Sequence, residues 1–184
     1  MNYLKLIRFY NLLIMALTMY AIRWFIIFPV LKSYGYSLQI SEILFFLLVI
    51  STLTIAGGGY VINDYFDRKA DRINDPKNVI VGTKIHRRFA IILHSVLNVV
   101  GVGLGFFVSI EIGHWKYGFI FLLTTGILWF YSTTYKRKFL IGNFVISLIT
   151  AFIPLLVLFF ETSMLKTNFS STDSDYKLFI HYIY

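Results

Sequence analysis

The chain has 184 residues, of which 58% are hydrophobic and 14% charged, with a formal net charge of +8 and no cysteine. Soluble domains carry roughly 25% charged residues, so this composition and a mean hydropathy of +0.72 exclude an ordinary soluble globule, a disordered chain and a collagen-like one. The missing cysteines exclude disulfides, thiolate metal sites and cysteine nucleophiles, and leave the redox compartment open.

Five apolar runs follow in order, at residues 10–31, 43–62, 89–110, 117–135 and 139–160. Each is near the ~20 residues that cross a bilayer core. The predicted fold is therefore all-α, a polytopic membrane bundle forming a single domain over 1–184. The first run is too long for a secretory h-region, and no A-x-A-like cleavage site follows it. Arg23 lies inside that run beside Trp24, where it is functional, snorkels to the interface or has an internal partner. Gly57, Gly58 and Gly59 in the second run, and Gly101-x-x-x-Gly105 in the third, read as close helix packing. His86, His94, His114 and His181 show no metal-ligand spacing and read as incidental loop or interface residues. Residues 161–175 read as a polar loop on the non-cytoplasmic side. A sixth run begins at Leu178, and the predicted bundle is truncated within it.

Twelve of the 17 basic residues lie in the N-terminal stub, in segment 63–88 and in 136–138. The positive-inside rule places the N-terminus and the 63–88 segment in the cytoplasm. The expected localisation is an integral, multi-pass cell-membrane protein. Basic residues dispersed beside apolar spans suit anionic headgroups or a phosphorylated lipid, and no nucleic acid is expected.

The second run leads into Asn63-Asp64-Tyr65-Phe66-Asp67-Arg68-Lys69-Ala70-Asp71, then Asn74, Asp75 and Pro76. Four of the nine acidic residues fall within these twelve positions, 64–75. At ~100° per residue, a continuing helix gathers Asn63, Asp67, Asp71 and Asn74 on one face, with Asp64 and Asp75 beside them. Pro76 marks its expected end. Carboxylates at i,i+3 and i,i+4 repel. Arg68 and Arg72 offset part of that repulsion, and a divalent cation would offset more. Oxygen-only ligands favour Mg²⁺, which binds one or two carboxylates and completes its shell with water and phosphate oxygens. The ladder thus reads as a metal-mediated phosphate or diphosphate site at the membrane boundary, rather than as a solvated loop helix.

Asn63-Asp64-x-x-Asp67-x-x-x-Asp71 resembles the first aspartate-rich motif of the UbiA family of membrane prenyltransferases. The surrounding words are similar too: Gly59-Tyr60-Val61-Ile62 before it, and Ile73-Asn74-Asp75-Pro76 and Val81-Gly82 after it. Arg8-x-x-Asn11 resembles the family's N-terminal signature. Tyr131-Ser-Thr-Thr-Tyr-Lys136-Arg137, followed by Gly142-Asn143, resembles the segment after its fourth span. The resemblance implies a helical bundle around a membrane-facing cavity. It also implies Mg²⁺-dependent transfer of a prenyl group from a polyprenyl diphosphate to a lipophilic acceptor. Asn63, Asp64, Asp67 and Asp71 become the candidate metal residues. Lys136 pairs with the diphosphate as a point charge, with Tyr131 beside it. Asn11 on the cavity floor, Arg72 and Arg137 are further candidate substrate contacts. Tyr60, Phe66, Trp129 and Tyr131 are the aromatic residues near the expected site, able to stabilise allylic carbocation character.

The spacing is most similar to the digeranylgeranylglyceryl phosphate synthase-like branch, which implies a glycerol-phosphate ether lipid as acceptor. The alternative acceptor is an aromatic ring of the 4-hydroxybenzoate or naphthoate type. The family's second aspartate-rich motif is absent from the 184 residues, so the chain alone is expected to be inactive or nearly so. Two other classes stay open: a cation-binding or transport subunit, and a structural remnant that binds nothing.

Overall fold

The fold is a computed structural model that describes residues 2–77, 79–138 and 140–168, without the side chains of Arg137 and residues 164–168. Helices α1 (Asn2–Leu6), α2 (Phe9–Ala21), α3 (Phe28–Ser33), α4 (Glu42–Asn74), α5 (Arg87–Glu111), α6 (Gly118–Thr133) and α7 (Ile141–Asn168) make up the bundle. No strand occurs among the described residues; Val81 and Ile85 form an isolated bridge.

Helix α4 is the central element, packed most extensively on α5 and also on α6 and α2. The Ser41 side chain accepts from the Leu44 N–H at 3.3 Å and caps its N-terminus, with Glu42 favourably placed in the first turn. Its 33 residues span about 50 Å, beyond the ~30 Å hydrocarbon thickness. The surplus length carries Asn63–Asp71 out of the apolar part of the helix. The helix ends at Asn74, with Asp75 outside the α region (φ −148°, ψ 71°) in front of Pro76, which disfavours helix at the residue before it.

Among the described residues, four segments are long and apolar enough to cross a membrane: Phe9–Ser33, Glu42–Asn74, Arg87–Glu111 and Ile141–Ser163. The expected span at 117–135 differs. It forms α6, only 16 residues long, between 3₁₀ turns at Trp115–Tyr117 and Tyr135–Arg137. The chain unwinds at Thr134 (φ −126°, ψ −52°), so the helix covers only about 24 Å. The expected loop at 161–175 is also corrected. Helix α7 continues through Asn168, with Glu161, Thr162 and Ser163 buried. Residues 169–175 and the expected sixth run from Leu178 lie outside the described residues.

Gly58, Gly59, Gly101 and Gly105 pack closely as expected, whereas a Cβ on Gly57 would meet its neighbours only at an ordinary 3.6 Å. A Cβ built on Gly101 would lie 2.6 Å from Ile55 Cγ1 and 3.0 Å from the Ser51 carbonyl oxygen, whereas one on Gly103 would meet nothing within 4 Å. Gly101→Ala is therefore expected to cost about 1–3 kcal/mol by overpacking. Gly103→Ala is expected to be neutral or slightly stabilising. Thermal unfolding of the two variants in detergent checks the pair; equal behaviour would contradict the packing.

His94 is buried in α5, with Nδ1 2.9 Å from the Gly58 carbonyl oxygen and its ring 5.5 Å from that of Trp129. It belongs to a polar seam between α4 and α5 with Asn98, and is not an incidental loop residue. Asn98 in turn accepts from Thr125 Oγ1 at 3.4 Å.

Candidate site at the mouth of an apolar cavity

A cavity of about 520 Å³ opens between α2, α4, α6 and α7, within the ~300–1,000 Å³ usual for ligand clefts. Its wall is apolar, with Ile55, Leu128, Ile149, Ile153 and Leu156 among the lining side chains. The polar lining residues include Arg8, Tyr60, Asn63, Tyr131 and Lys136. The cavity therefore presents an amphipathic interior, greasy along its length and charged at one end.

The charged end is built on the exposed turns of α4. Asn63 and Asp67 stand one helical turn apart, and Lys136, in the 3₁₀ turn after α6, reaches both. Its Nζ donates to Asn63 Oδ1 at 3.1 Å and pairs with the Asp67 carboxylate. Asp64 points to the other side and meets Arg8, with Nη2 3.4 Å from Oδ1. The Arg8 guanidinium also lies 4.9 Å from the centre of the Tyr60 ring, a cation–π distance. Arg8 has φ 52° and ψ 55°, a left-handed conformation uncommon outside glycine. That conformation breaks the chain between α1 and α2, and such backbone outliers cluster at functional sites.

Arg8 was singled out from sequence only as part of the Arg-x-x-Asn word. Its pairing with Asp64 spans 56 positions, and no local periodicity reports such a contact. Asn11 of the same word is exposed on α2 and is not among the cavity-lining residues. Arg72 turns away from the ladder, and its Nη2 donates to the Gly82 carbonyl at 3.3 Å. Arg68 lies against the same glycine, whose Cβ would fall 3.0 Å from Arg68 Cδ. The repulsion along the ladder is therefore offset by Arg8 and Lys136 from other elements, not by Arg68 and Arg72. Asp71 is half-buried two turns beyond Asn63 and has no ion-pair partner among the described residues. The Arg137 side chain lies outside the described residues.

Tyr60 and Tyr131 line the cavity, but Phe66 and Trp129 do not. Those two pack edge to face on each other with centroids 5.8 Å apart. Phe121 and Phe152 join the two tyrosines as aromatic lining residues deeper along the wall.

Among the described residues no three Asp, Glu, His or Cys side chains gather into a metal-binding group. The donors present are hard oxygens on successive turns of one helix: Asn63, Asp64, Asp67 and Asp71. That set suits Mg²⁺ held by one or two carboxylates with the remaining positions filled by water and phosphate oxygens. It does not suit a closed, all-protein cage.

The sequence pattern of the UbiA prenyltransferase family matches residues 12–172. A digeranylgeranylglyceryl phosphate synthase of Sulfolobus acidocaldarius is 38% identical over 112 residues, covering 59% of this chain and 38% of the relative. The protein of that name from Saccharolobus solfataricus is 32% identical over 151 residues, covering 82% and 48%. A solved structure, reported as structural and mechanistic insights into the biosynthesis of digeranylgeranylglyceryl phosphate synthase in membranes, matches with a TM-score of 0.68 and 27% identity. The match covers 86% of this chain and 52% of that one. The chain thus spans about half or less of the length of these relatives.

Proposed function

The chain belongs to the UbiA prenyltransferase family, and on that premise we propose that its cavity takes the chain of a polyprenyl diphosphate and its charged rim takes the diphosphate. The observation that carries the reading is the placement of Arg8 and Lys136, each paired to a carboxylate of the ladder, at one end of an apolar cavity. A diphosphate brings several negative charges to that end while its hydrocarbon tail needs a dry wall. The reaction proposed is transfer of the prenyl group to a lipophilic acceptor. The bond between prenyl C1 and the diphosphate oxygen breaks, its electron pair leaving with the diphosphate. The acceptor hydroxyl oxygen bonds to C1 and loses its proton.

Asn63, Asp64, Asp67 and Asp71 are the proposed Mg²⁺ residues, and Mg²⁺ when bound neutralises charge on the leaving diphosphate. Lys136 and Arg8 hold the phosphate oxygens by charge-assisted hydrogen bonds. The Tyr60 and Tyr131 ring faces stabilise positive charge developing on the allylic carbon. The apolar wall excludes water, which would otherwise capture that carbon. The acceptor proposed is a glycerol-phosphate ether lipid, a reading supported by the similarity to the digeranylgeranylglyceryl phosphate synthases. The N-terminus and the 63–88 segment are proposed to face the cytoplasm, supported by the distribution of lysine and arginine.

The test is binding of a non-hydrolysable polyprenyl thiodiphosphate to the purified chain with and without Mg²⁺. Mg²⁺-dependent binding is expected. Transport of a divalent cation without any affinity for the diphosphate would overturn the reading. Offering a glycerol-phosphate ether lipid beside 4-hydroxybenzoate or a naphthoate, with a radiolabelled prenyl diphosphate, to a chain completed to the length of its relatives decides the acceptor. Label transferred only to the aromatic acid would contradict the ether-lipid assignment.

A further inference from the structure

A second cleft, of about 710 Å³, lies between the exposed end of α4 and the start of α5, lined by Tyr65, Gly82, His86, Arg87, Arg88 and Ile91. It shares no residue with the cavity above. Arg87 and Arg88 are the cationic residues of its lining, with Arg68, Arg72 and Lys84 on the flanking segments. Arg68, Arg72, Lys84, Arg87 and Arg88 make no ion pair with any carboxylate among the described residues. Arg68 and Arg72 back the Gly82 turn, and Arg68 Nε is buried without a hydrogen-bond partner there. Arg87 is pre-positioned: its guanidinium lies 5.5 Å from the centre of the Tyr65 ring and its Nη2 donates to the Tyr65 hydroxyl at 3.4 Å. The positive end of the 25-residue α5 dipole points at the same place.

Immediately below the arginines the surface turns apolar. Phe89, Ile91 and Ile92 are exposed, with Tyr3 edge-on to Phe89 at 5.4 Å. Helix α5 is itself a candidate membrane span that begins at Arg87, so the cleft sits at headgroup level with the apolar strip running into the hydrocarbon. A free phosphate would use the arginines but leave the strip uncovered. An amphiphile uses both.

We propose that this cleft binds the phosphate headgroup of an anionic membrane lipid, whose hydrocarbon chain lies along Phe89 and Ile92. Arg87 and Arg88 are the headgroup contacts, with His86 and the Gly82 turn forming the rim. Basic pockets between membrane helices commonly hold anionic headgroups. This site is independent of the prenyl-transfer reading, because none of its residues lines the proposed substrate cavity.

The experiment compares the chain in nanodiscs of phosphatidylcholine alone and of phosphatidylcholine with phosphatidylglycerol, reading retained lipid by native mass spectrometry after detergent release. Retention of phosphatidylglycerol over phosphatidylcholine is expected. Arg87→Gln with Arg88→Gln is expected to lower that preference on the order of tenfold. Lys32→Gln with Lys116→Gln removes the same charge from the end of α3 and the 3₁₀ turn before α6 and is expected to leave it unchanged. The single Arg88→Gln variant alters a partnerless exposed side chain, so its partial loss of preference cannot arise from misfolding. Equal retention by wild type and the Arg87/Arg88 variant would overturn the proposal. So would equal losses in both charge-matched variants, or full displacement of the lipid by an equal concentration of inorganic phosphate.

Discussion

Lys136→Met is expected to weaken binding of a polyprenyl thiodiphosphate by about tenfold to a hundredfold, because hydrogen bonds to charged groups contribute roughly 1.5–3 kcal/mol each. Asp67→Asn is expected to behave in a sign-dependent way that Lys136→Met is not. Without a divalent cation the Lys136 ammonium is engaged by Asp67 and Asn63, and a diphosphate has to compete with a carboxylate for it. The asparagine variant removes that competitor and one repelling charge, so without Mg²⁺ its affinity rises above wild type. On the proposed role, Asp67 would hold Mg²⁺ and the ion would supply charge neutralisation for the diphosphate, so the loss of that carboxylate is expected to lower Mg²⁺-supported affinity ten- to hundredfold. Isothermal titration at fixed ionic strength, with Mg²⁺ and with EDTA, reads both arms. An Asp67→Asn effect of the same sign in both would remove Asp67 from the metal site. Asp71→Asn serves as the companion, since Asp71 has no ion-pair partner among the described residues to release. It should weaken Mg²⁺-supported binding while changing the metal-free value little.

The ladder was legible in the sequence because its information is local. Asn63, Asp67 and Asp71 repeat at the helical period, a long apolar run leads into them, and Pro76 stops the helix where α4 does stop. What the ladder meets was not legible in the same way. Lys136 lies 69 positions from Asp67, and Arg8 lies 56 from Asp64. Both were present in the sequence as words of a family resemblance. The packing of Arg68 and Arg72 on the Gly82 turn could not be foreseen either, because a helical wheel places them beside the acids without saying what approaches from outside. Hydropathy located α6 to within two residues at each end and overran its stop for a related reason. It measures the apolarity of 117–135 but not the torsions at Thr134 that end the helix. The same blindness applied to 161–163, where polar side chains turned out to be buried on α7 and the acid to have a partner 138 positions away.

That partner defines the second large effect. Glu161 and Arg23 are both fully buried, with Arg23 Nε 2.7 Å from Glu161 Oε1. Glu161 Oε2 accepts from the Gln39 and Ile40 backbone N–H groups at 2.9 and 3.2 Å. Arg23 also donates to the Ile40 carbonyl, reaches Glu42 at 3.0 Å, and lies 4.2 Å from the centre of the Phe45 ring. One carboxylate thus ties α7 to the π-helical turn at Ile22–Ile27 and to the loop before α4. The wide turn around Arg23 follows from what it holds, since π-helical bulges open a helix around an inserted side-chain interaction.

Glu161→Leu leaves a buried guanidinium short of its partner and strips the Gln39 and Ile40 amides of their acceptor. The expected cost is about 3–5 kcal/mol, as for other broken buried pairs. Arg23→Leu should cost a similar amount by stranding the carboxylate. The double variant should cost clearly less than the sum of the singles, because it leaves no buried charge. It should not return fully to wild type, because the two amides and the Ile40 carbonyl still lose their side-chain partners. Thermal unfolding of the four proteins in one detergent closes the cycle, and additive costs would show that the pair is not coupled. Diphosphate affinity of the folded fraction supplies the spatial control. Glu42 and Asn63 are 21 residues apart on α4, about 32 Å along the helix, so the Glu161 network and the Lys136 site sit at opposite ends. Stability should fall with affinity nearly unchanged. A parallel fall in both would mean that the far-end clamp sets the position of α7 along the cavity wall.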